Sequence, residues 1–236
     1  MAQQFFHRIT LLLLICFCLE AQEKDISYYV IKIKNQNYGY IVLENSKNAS
    51  SNIRKTITSL KSKADKDNFD YQLFEENIHN NDNKLISYSL QRIWNTRVLV
   101  KQKFIFNDNS LKTIFFKSGK PYTSRTFFRQ PDIFVVTDHF SLLPLLKKAL
   151  NYPLTTKIFD PKNIKLTSNI LEKNRIKIIP KGIAKINIGN KNYFTKLFHI
   201  KLKNKSLKVW TNRKVDKVIK LQNSKDGSKY KKISNY

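Results

Sequence analysis

Residues 97–117 read RVLVKQKFIFNDNSLKTIFFK, and they show the class of fold most clearly. In the first ten residues apolar side chains recur at every second position, the period of a β-strand with one buried face. The apolar face of this predicted strand carries Val98, Val100, Phe104 and Phe106, with Gln102 among them. Asn107-Asp108-Asn109 then supplies a turn, and residues 111–117 form a second predicted strand.

Similar strand-like runs, separated by turn signals, fill most of the chain. They are residues 28–34, 38–43, 69–75, 85–94, 183–188, 193–203, 207–211 and 215–221. Residues 54–66 are compatible with a helix or a long basic connection, although Thr56, Ile57 and Thr58 favour a strand. No sustained helical period occurs between residues 27 and 134. We therefore expect a mainly β fold with antiparallel strands.

One short helix is predicted near residue 142. Ser141 is placed to cap it, and Pro144 falls in its first turn, where the missing N–H is no loss. The apolar face of the helix comprises Leu142, Leu145, Leu146 and Ala149. Lys147 and Lys148 point to water. Such a helix either closes one side of the core or forms a lid over a ligand cavity.

The first 21 residues resemble a secretory signal peptide. Arg8 precedes an apolar run over residues 9–19, and Ala21 marks a plausible cleavage point. The run is short for a membrane anchor, which needs about 20 apolar residues. We expect an exported protein of the periplasm or cell envelope, with one β-rich domain over residues 22–222 and a polar, frayed tail over residues 223–236.

Both cysteines, Cys16 and Cys18, lie inside the predicted signal. The residues before them, Ile15 and Phe17, are not the small residues that a lipoprotein signal requires. After cleavage the chain has no thiol for a disulfide, a nucleophile or a zinc–sulfur site. The domain must then be held together by its hydrophobic core.

The chain carries a net charge of +27, and most of the excess lies near the C-terminus. Residues 162–236 contain 21 Lys or Arg residues against Glu172, Asp216 and Asp226. The predicted anion-binding residues on the late strands are Lys201, Lys203, Lys205 and Lys208. Such a face attracts phospholipid headgroups or acidic glycans, unless it is only a solvated surface in a lysine-rich chain. Lysine rather than arginine carries the charge, so we expect no specific nucleic-acid recognition.

Motifs for catalysis or cofactor binding are scarce. The five glycines do not cluster, so no phosphate-binding loop is predicted, and neither a Gly-x-Ser-x-Gly nor a His-Glu-x-x-His run occurs. We therefore expect no cofactor and no metal site. The adjacent Asp138 and His139 are the one pair that could serve as acid and base in a hydrolase. Bonding within the local turn is the alternative role for this pair, and we expect a protein that is not an enzyme.

The order of short motifs resembles that of a widespread bacterial family of exported proteins of unknown function. The motifs are Tyr38-Gly39-Tyr40, Ser118-Gly119-Lys120-Pro121, Asp138 with Ser141-Leu142-Leu143, Phe194-Thr195-Lys196, and Val209-Trp210-Thr211 with Val218 and Lys220. That family is similar in architecture to the periplasmic lipoprotein carriers. The resemblance implies a strongly bent antiparallel sheet, a half-barrel or sandwich-like fold, around a hydrophobic cavity. Arg213-Lys214-Val215 departs from the family pattern, which has an acidic residue there.

These observations predict a protein that binds a lipid or another amphiphile in an apolar cavity. The predicted lining residues are Phe104, Phe106, Phe116, Phe128 and Phe134, with Leu142, Leu145 and Leu146 as a lid and Trp210 at the rim. The alternative is a basic accessory protein that docks on anionic envelope polymers or a membrane surface. A hydrolase that uses Asp138 and His139 is the third hypothesis.

Overall fold

A computed structural model gives the fold of the protein. It describes residues 23–33, 36–62, 69–128, 133–164, 173–188, 191–202, 205–223 and 229–233. Within these ranges the chain forms fifteen strands, and all of them belong to one sheet. The strands are β1 (Glu23–Ile33), β2 (Gln36–Lys47), β3 (Ser51–Ser62), β4 (Phe69–Asn80), β5 (Leu85–Trp94), β6 (Arg97–Phe106), β7 (Ser110–Lys117), β8 (Lys120–Phe128), β9 (Phe134–Val135), β10 (Leu154–Phe159), β11 (Lys173–Ile188), β12 (Lys191–Leu202), β13 (Lys205–Thr211), β14 (Val218–Asn223) and β15 (Lys229–Ile233).

The sheet is assembled from two antiparallel meanders. Strands β1 to β8 follow one another outward from β1, and strands β10 to β15 pair in sequence order on the other side. Strand β15 lies between β14 and β1 and so joins the two halves. The two-residue strand β9 pairs with β10 and is the exception, because it runs parallel to its neighbour. The mainly β, antiparallel prediction is confirmed.

The sheet is strongly bent, because residues far apart in the strand order pack together on its inner face. One core cluster, the strand cluster, contains Tyr88, Leu90, Phe104, Phe106, Leu111, Phe115, Phe127, Ile133, Val135, Phe159 and Ile164. It joins β5–β8 to β9 and β10, which lie at the opposite end of the sheet. The alternation predicted for β6 is confirmed for Gln102, Phe104 and Phe106, which are buried. It fails at Val98, which is 50% exposed, because the register with β5 shifts between Val100 and Val98.

A second core cluster, the helix cluster, joins β1 and β2 to β10–β14. Its buried members are Tyr29, Ile31, Ile41, Leu43, Phe140, Leu142, Leu145, Leu146, Ala149, Ile158, Ile176, Ile178, Phe198, Ile200, Leu207, Val209, Val215, Val218 and Leu221. The short helix α1 (Leu143–Lys148) and the 3-10 turn before it, Phe140–Leu142, pack into this cluster. Among the described residues, no helix has the length and apolar content needed to span a bilayer.

The helix begins at the predicted position, but Ser141 does not cap it as predicted. Pro144 lies in the first turn, whereas no side chain caps the helix at Leu142. Ser141 lies inside the 3-10 turn, where its hydroxyl donates to the Asp138 carbonyl oxygen at 2.6 Å. Its backbone N–H donates to Asp138 Oδ1, also at 2.6 Å. The role of turn-capping side chain therefore belongs to Asp138, three residues earlier.

Strand β15 corrects the expectation of a frayed tail. Residues 229–233 pair with β1 on one side and β14 on the other. Their sequence, KYKKI, has no apolar alternation that would predict a strand. Of the stretch 54–66, which the sequence left open, residues 54–62 belong to strand β3, and residues 63–66 lie outside the described residues.

The predicted strand at 215–221 starts three residues later in the structure. Residues 212–217 form a turn in which Val215 has a φ of 56° and its side chain is fully buried. This backbone conformation is rare for a β-branched residue. The backbone N–H of Asn212 donates to the Lys217 carbonyl oxygen at 3.0 Å and holds the turn together.

Candidate functional site

Most residues predicted to line an apolar cavity lie in the packed core. Phe104 and Phe106 belong to the strand cluster, where the ring of Phe104 stacks on that of Tyr88 with centroids 5.4 Å apart. Leu142, Leu145 and Leu146 belong to the helix cluster and are between 0% and 3% exposed. None of these five lines either of the two cavities described below. They pack against other side chains of the two core clusters.

The remaining predicted residues are scattered. Phe128 lies on the outer face of the edge strand β8 and is 74% exposed, whereas its neighbour Phe127 is buried in the strand cluster. Phe134 packs half-buried against the helix cluster. Trp210 is buried, and the ammonium of Lys220 lies 4.7 Å from the centre of its ring. Phe116 is the member of the predicted set that lines one of the two cavities described below.

That cavity is a groove of about 400 Å³ on the outer face of β3–β7. Residues opposite each other in a sheet share a face, and Ile57, Phe74 and Gln91 are paired across β3, β4 and β5. Their neighbours in sequence, Thr56 and Glu75, point to the interior and are buried. The apolar residues of the groove are Ile57, Phe74, Ile78 and Phe116, all of them partly buried.

Lysines stand around this groove. The ammonium of Lys101 lies 5.4 Å from the centre of the Phe116 ring, and Lys103 is exposed two residues further along β6. Lys55 forms an ion pair of 3.8 Å with Glu76 on the neighbouring strand. We call the cavity, with these four charged residues and its four apolar residues, the lysine-rimmed groove.

A second cavity, the end cleft, has a volume of about 600 Å³. It opens between the ends of β1–β4, the helix α1 and the turn at residues 212–217. Its lining combines charged and polar residues, among them Asp25, Arg54, His79 and Asp216, with the apolar residues Ile53, Phe140, Leu143, Pro144 and Val215. Burial and the nearby positive charge of Arg54 lower the pKa of His79 from its usual 6.5 to about 4.

Asp138 and Arg54 meet on the inner side of this cleft. Asp138 Oδ2 lies 3.3 Å from Arg54 Nη2 and accepts from the Asn77 amide at 3.5 Å. Asn77 in turn accepts from the Thr137 hydroxyl at 2.6 Å. Both carboxylate oxygens of Asp138 are therefore engaged by the protein, which fixes the segment before the helix against β3 and β4. Among the described residues, no group of three or more His, Cys, Asp or Glu side chains is arranged to hold a metal ion.

A buried ion pair lies between the two core clusters. Lys162 Nζ is 2.6 Å from Glu75 Oε1, and the Tyr88 hydroxyl donates to the same oxygen at 2.7 Å. Burial raises the pKa of the Glu75 carboxyl, and the charge of Lys162 opposes this rise. Burial disfavours the charged form of Lys162 too, but the Glu75 carboxylate outweighs it, so the pKa of Lys162 lies above its ordinary value. The buried Glu75 carboxylate on the inner face of β4 is thus paired with Lys162 and hydrogen-bonded to Tyr88.

The structure describes three of the four lysines predicted to bind anions. Lys201 and Lys208 are exposed on the outer face of β12 and β13. Lys205 begins β13, where its backbone pairs with Leu202, and Lys203 lies outside the described residues. Lys177 of β11 lies directly opposite Lys201, and Lys208 lies opposite His199. The structure therefore adds Lys177 to this group. The sequence did not indicate it, because Lys177 is 24 residues away from its partner Lys201 in the chain.

Sequence reasoning missed the partners of Phe116 in the groove. The adjacent pair Phe115-Phe116 did indicate one ring on each face of the sheet. Ile57, Phe74 and Ile78 carry the same signal, because they are apolar residues at positions that face away from the core of β3 and β4. The register that brings them beside Phe116 depends on the pairing of five strands.

Comparisons with known proteins bear on the fold. No protein-family model and no curated protein matches the chain. Among solved structures, it is similar to the crystal structure of a β-barrel-like protein of the domain of unknown function DUF1849 from Brucella abortus. That match has a TM-score of 0.58 and 9% sequence identity, and covers 90% of this chain and 95% of the other. The chain therefore has a curled, barrel-like, mainly β fold shared with a protein of a domain of unknown function.

Proposed function

We propose that the lysine-rimmed groove binds an anionic amphiphile, a molecule with an alkyl chain and a carboxylate or phosphate headgroup. The observation that carries the proposal is the row of partly buried apolar side chains on the outer face of the sheet. Outward-facing positions of a sheet with one buried face are usually polar. Here Ile57, Phe74 and Phe116 occupy them and line a cavity of about 400 Å³, within the size range of small-molecule sites.

The two parts of such a ligand have different energetic roles. Each methylene group that leaves water for the groove contributes about 0.8 kcal/mol. An ion pair between an exposed lysine and the headgroup contributes only about 0–1 kcal/mol. The alkyl chain therefore supplies most of the affinity. Lys101 and Lys103 set the orientation of the ligand, because they stand on the same side of the groove.

A fluorescent fatty acid and the matched fatty alcohol test this proposal by titration with the protein. Phe116→Ser should weaken the binding of both probes about tenfold or more, because the groove loses an aromatic ring that covers the chain. Phe128→Ser is the matched control, since Phe128 lies on the same face but is 74% exposed outside the groove. It should leave the affinity unchanged.

The lysines are tested with the same two probes. The double variant Lys101→Gln, Lys103→Gln should weaken binding of the fatty acid and leave binding of the alcohol unchanged. Only the acid carries a negative charge that can pair with these lysines. Equal losses from the Phe116 and Phe128 variants, or no binding of either probe, would overturn the proposal. High salt should change the affinity for the acid only slightly, since the alkyl chain dominates.

We further propose that the protein is exported and acts by binding rather than by catalysis. Support for export comes from the signal-like residues 1–21, with their single early arginine and short apolar run. Mass spectrometry of the accumulated protein should find its N-terminus near Gln22. A protein that retains residues 1–21 would contradict this prediction.

A further inference from the structure

We propose a second, independent binding surface: the outer face of β10–β14 docks on an anionic phospholipid membrane. The lysine face, as we call it, consists of Lys157, Arg175, Lys177, Lys201 and Lys208, all of them exposed. It lies on a different part of the sheet from the lysine-rimmed groove. The proposal therefore stands whether or not that groove binds an amphiphile.

Strand register places these cations side by side. Lys157 is paired with Arg175, and Lys177 is paired with Lys201. The flanking residues Ile176, Ile178 and Ile200 point the other way, into the helix cluster. Because neighbouring strands are about 4.8 Å apart, the ammonium groups form a continuous array rather than separate charges.

Anionic partners are missing from these strands. The sequences of β10–β14 contain no Asp or Glu residue at all. Like charges that face each other across strands destabilise a sheet, and the pair Lys177–Lys201 is of this kind. An external anionic surface would relieve that repulsion.

The other half of the sheet shows that lysine is not simply distributed at random. There Lys24 pairs with Glu44, Lys61 pairs with Asp70, and Lys84 pairs with Asp108. Lysine beside a carboxylate is thus the pattern of β1–β5 and their turns. Strands β10–β14 differ from β1–β5 in this respect and resemble β6–β8, which also contain cations but no Asp or Glu and which border the lysine-rimmed groove. We take the cations of β10–β14 to serve contact with an external anion.

His199 reports the field at the centre of this face. Although it is only slightly buried, its pKa is lowered by desolvation and by the charges of Lys208, Lys181 and Lys201. The neighbouring lysines therefore add to desolvation in disfavouring a positive charge on His199.

The chemistry of the face favours a membrane over a nucleic acid. Single-stranded nucleic acids are usually held by exposed aromatic rings on which bases stack. On this face Trp210 is buried and lies under the Lys220 ammonium. The exposed ring on β12, Phe194, is seven residues from Lys201 and therefore points to the opposite face. Lysine is a compact point charge, suited to a field of lipid phosphates, and each basic residue near an anionic bilayer strengthens binding about fivefold.

Vesicle sedimentation of the full chain tests the proposal, with phosphatidylcholine vesicles that contain or lack phosphatidylglycerol. The protein should bind only the anionic vesicles, and more weakly at physiological than at low salt. The triple variant Lys177→Gln, Lys201→Gln, Lys208→Gln should lose about a hundredfold in affinity. Lysine-to-arginine changes at the same positions should retain binding, which shows that the charge, and not a folding defect, is responsible.

The matched control removes the same charge from the other half of the sheet. Lys24→Gln, Lys61→Gln, Lys84→Gln should change vesicle affinity far less, because these lysines already have carboxylate partners. Equal losses from the two triple variants would overturn the proposal, since net charge alone would then explain binding. Tighter binding to duplex DNA than to anionic vesicles at the same salt would overturn it in favour of a nucleic acid.

Discussion

His79 lies where its charged form is disfavoured. Its imidazole lines the end cleft, is largely buried, and is close to the Arg54 guanidinium. Asp138 and a hydrogen bond to the Asn52 backbone favour the proton, but burial and Arg54 outweigh them and lower the pKa to about 4. The folded protein therefore holds this histidine neutral under conditions in which the unfolded chain protonates it.

The free energy of unfolding should consequently depend on pH through this one side chain. Between the unfolded pKa of about 6.5 and the folded value near 4, the unfolded state binds more protons. Stability should thus fall as the pH drops through this window and should lose nothing further from this group below it. Urea denaturation at about pH 7 and about pH 5 should show a smaller difference for His79→Asn than for the natural protein. The same difference in both proteins would contradict this assignment.

For adjacent aromatic residues, the sequence alone predicts the face to which each ring points but not its neighbours there. Alternation predicts that Phe115 and Phe116, or Phe127 and Phe128, point to opposite faces. It does not reveal which ring will have neighbours on its own face. Phe116 gains them from β3 and β4, whereas Phe128 lies on an edge strand and has only solvent beside most of its ring.

At the scale of elements, the short turn at Pro161–Asn163 is fastened to the far half of the sheet. The Asp160 carboxylate accepts from the Lys162 backbone N–H at 2.9 Å, and the Lys162 side chain reaches Glu75 on β4. Ile164, just after the turn, is buried in the strand cluster. One buried ion pair therefore links the C-terminal meander to the N-terminal one across the interior.

Removing one partner of this pair should cost far more than removing both. Lys162→Met should lower the free energy of unfolding by about 3–5 kcal/mol, because Glu75 would be left as an unpaired buried carboxylate. Adding Glu75→Gln to that variant should restore much of the loss, since no charge remains to be solvated. Urea denaturation of the two single variants and the double variant measures this coupling.

An exposed ion pair provides the control for this experiment. Lys61 and Asp70 are paired at 3.7 Å, but their side chains are 67% and 40% exposed. Lys61→Met should therefore cost less than about 1 kcal/mol. Simple additivity of the Lys162 and Glu75 losses would show that the buried pair has no coupling.

At the scale of the whole molecule, the sequence predicts the class of fold well. The strands Leu85–Trp94 and Arg97–Phe106 have their predicted bounds, and the helix lies where Pro144 and the leucines place it. These elements carry strong local signals: alternation, turn residues and an apolar helical face. The fold class follows from such signals because each strand pairs with the next one along the chain, except β8 and β9 at the two ends of the sheet.

The interior and the candidate sites could not be predicted in the same way. A bent sheet either encloses a cavity or fills its interior, and the difference depends on how far it curls. Here Phe104, Leu142 and Leu146 meet other side chains and become core. Strand β15 escaped detection because its sequence is polar and one of its partners, β1, lies about two hundred residues earlier.

The position of β15 has a consequence for how the chain acquires its structure. The N-terminal meander can pair strand by strand as the chain becomes available in sequence order, since each hairpin is local. The junction between the two meanders, however, cannot form until β15, the last strand in chain order, is available to pair with β1. During that interval the backbone edge of β1 is unpaired, and open strand edges recruit other chains. Slow synthesis of the final residues would therefore favour aggregation, and the last strand acts as the step that completes folding.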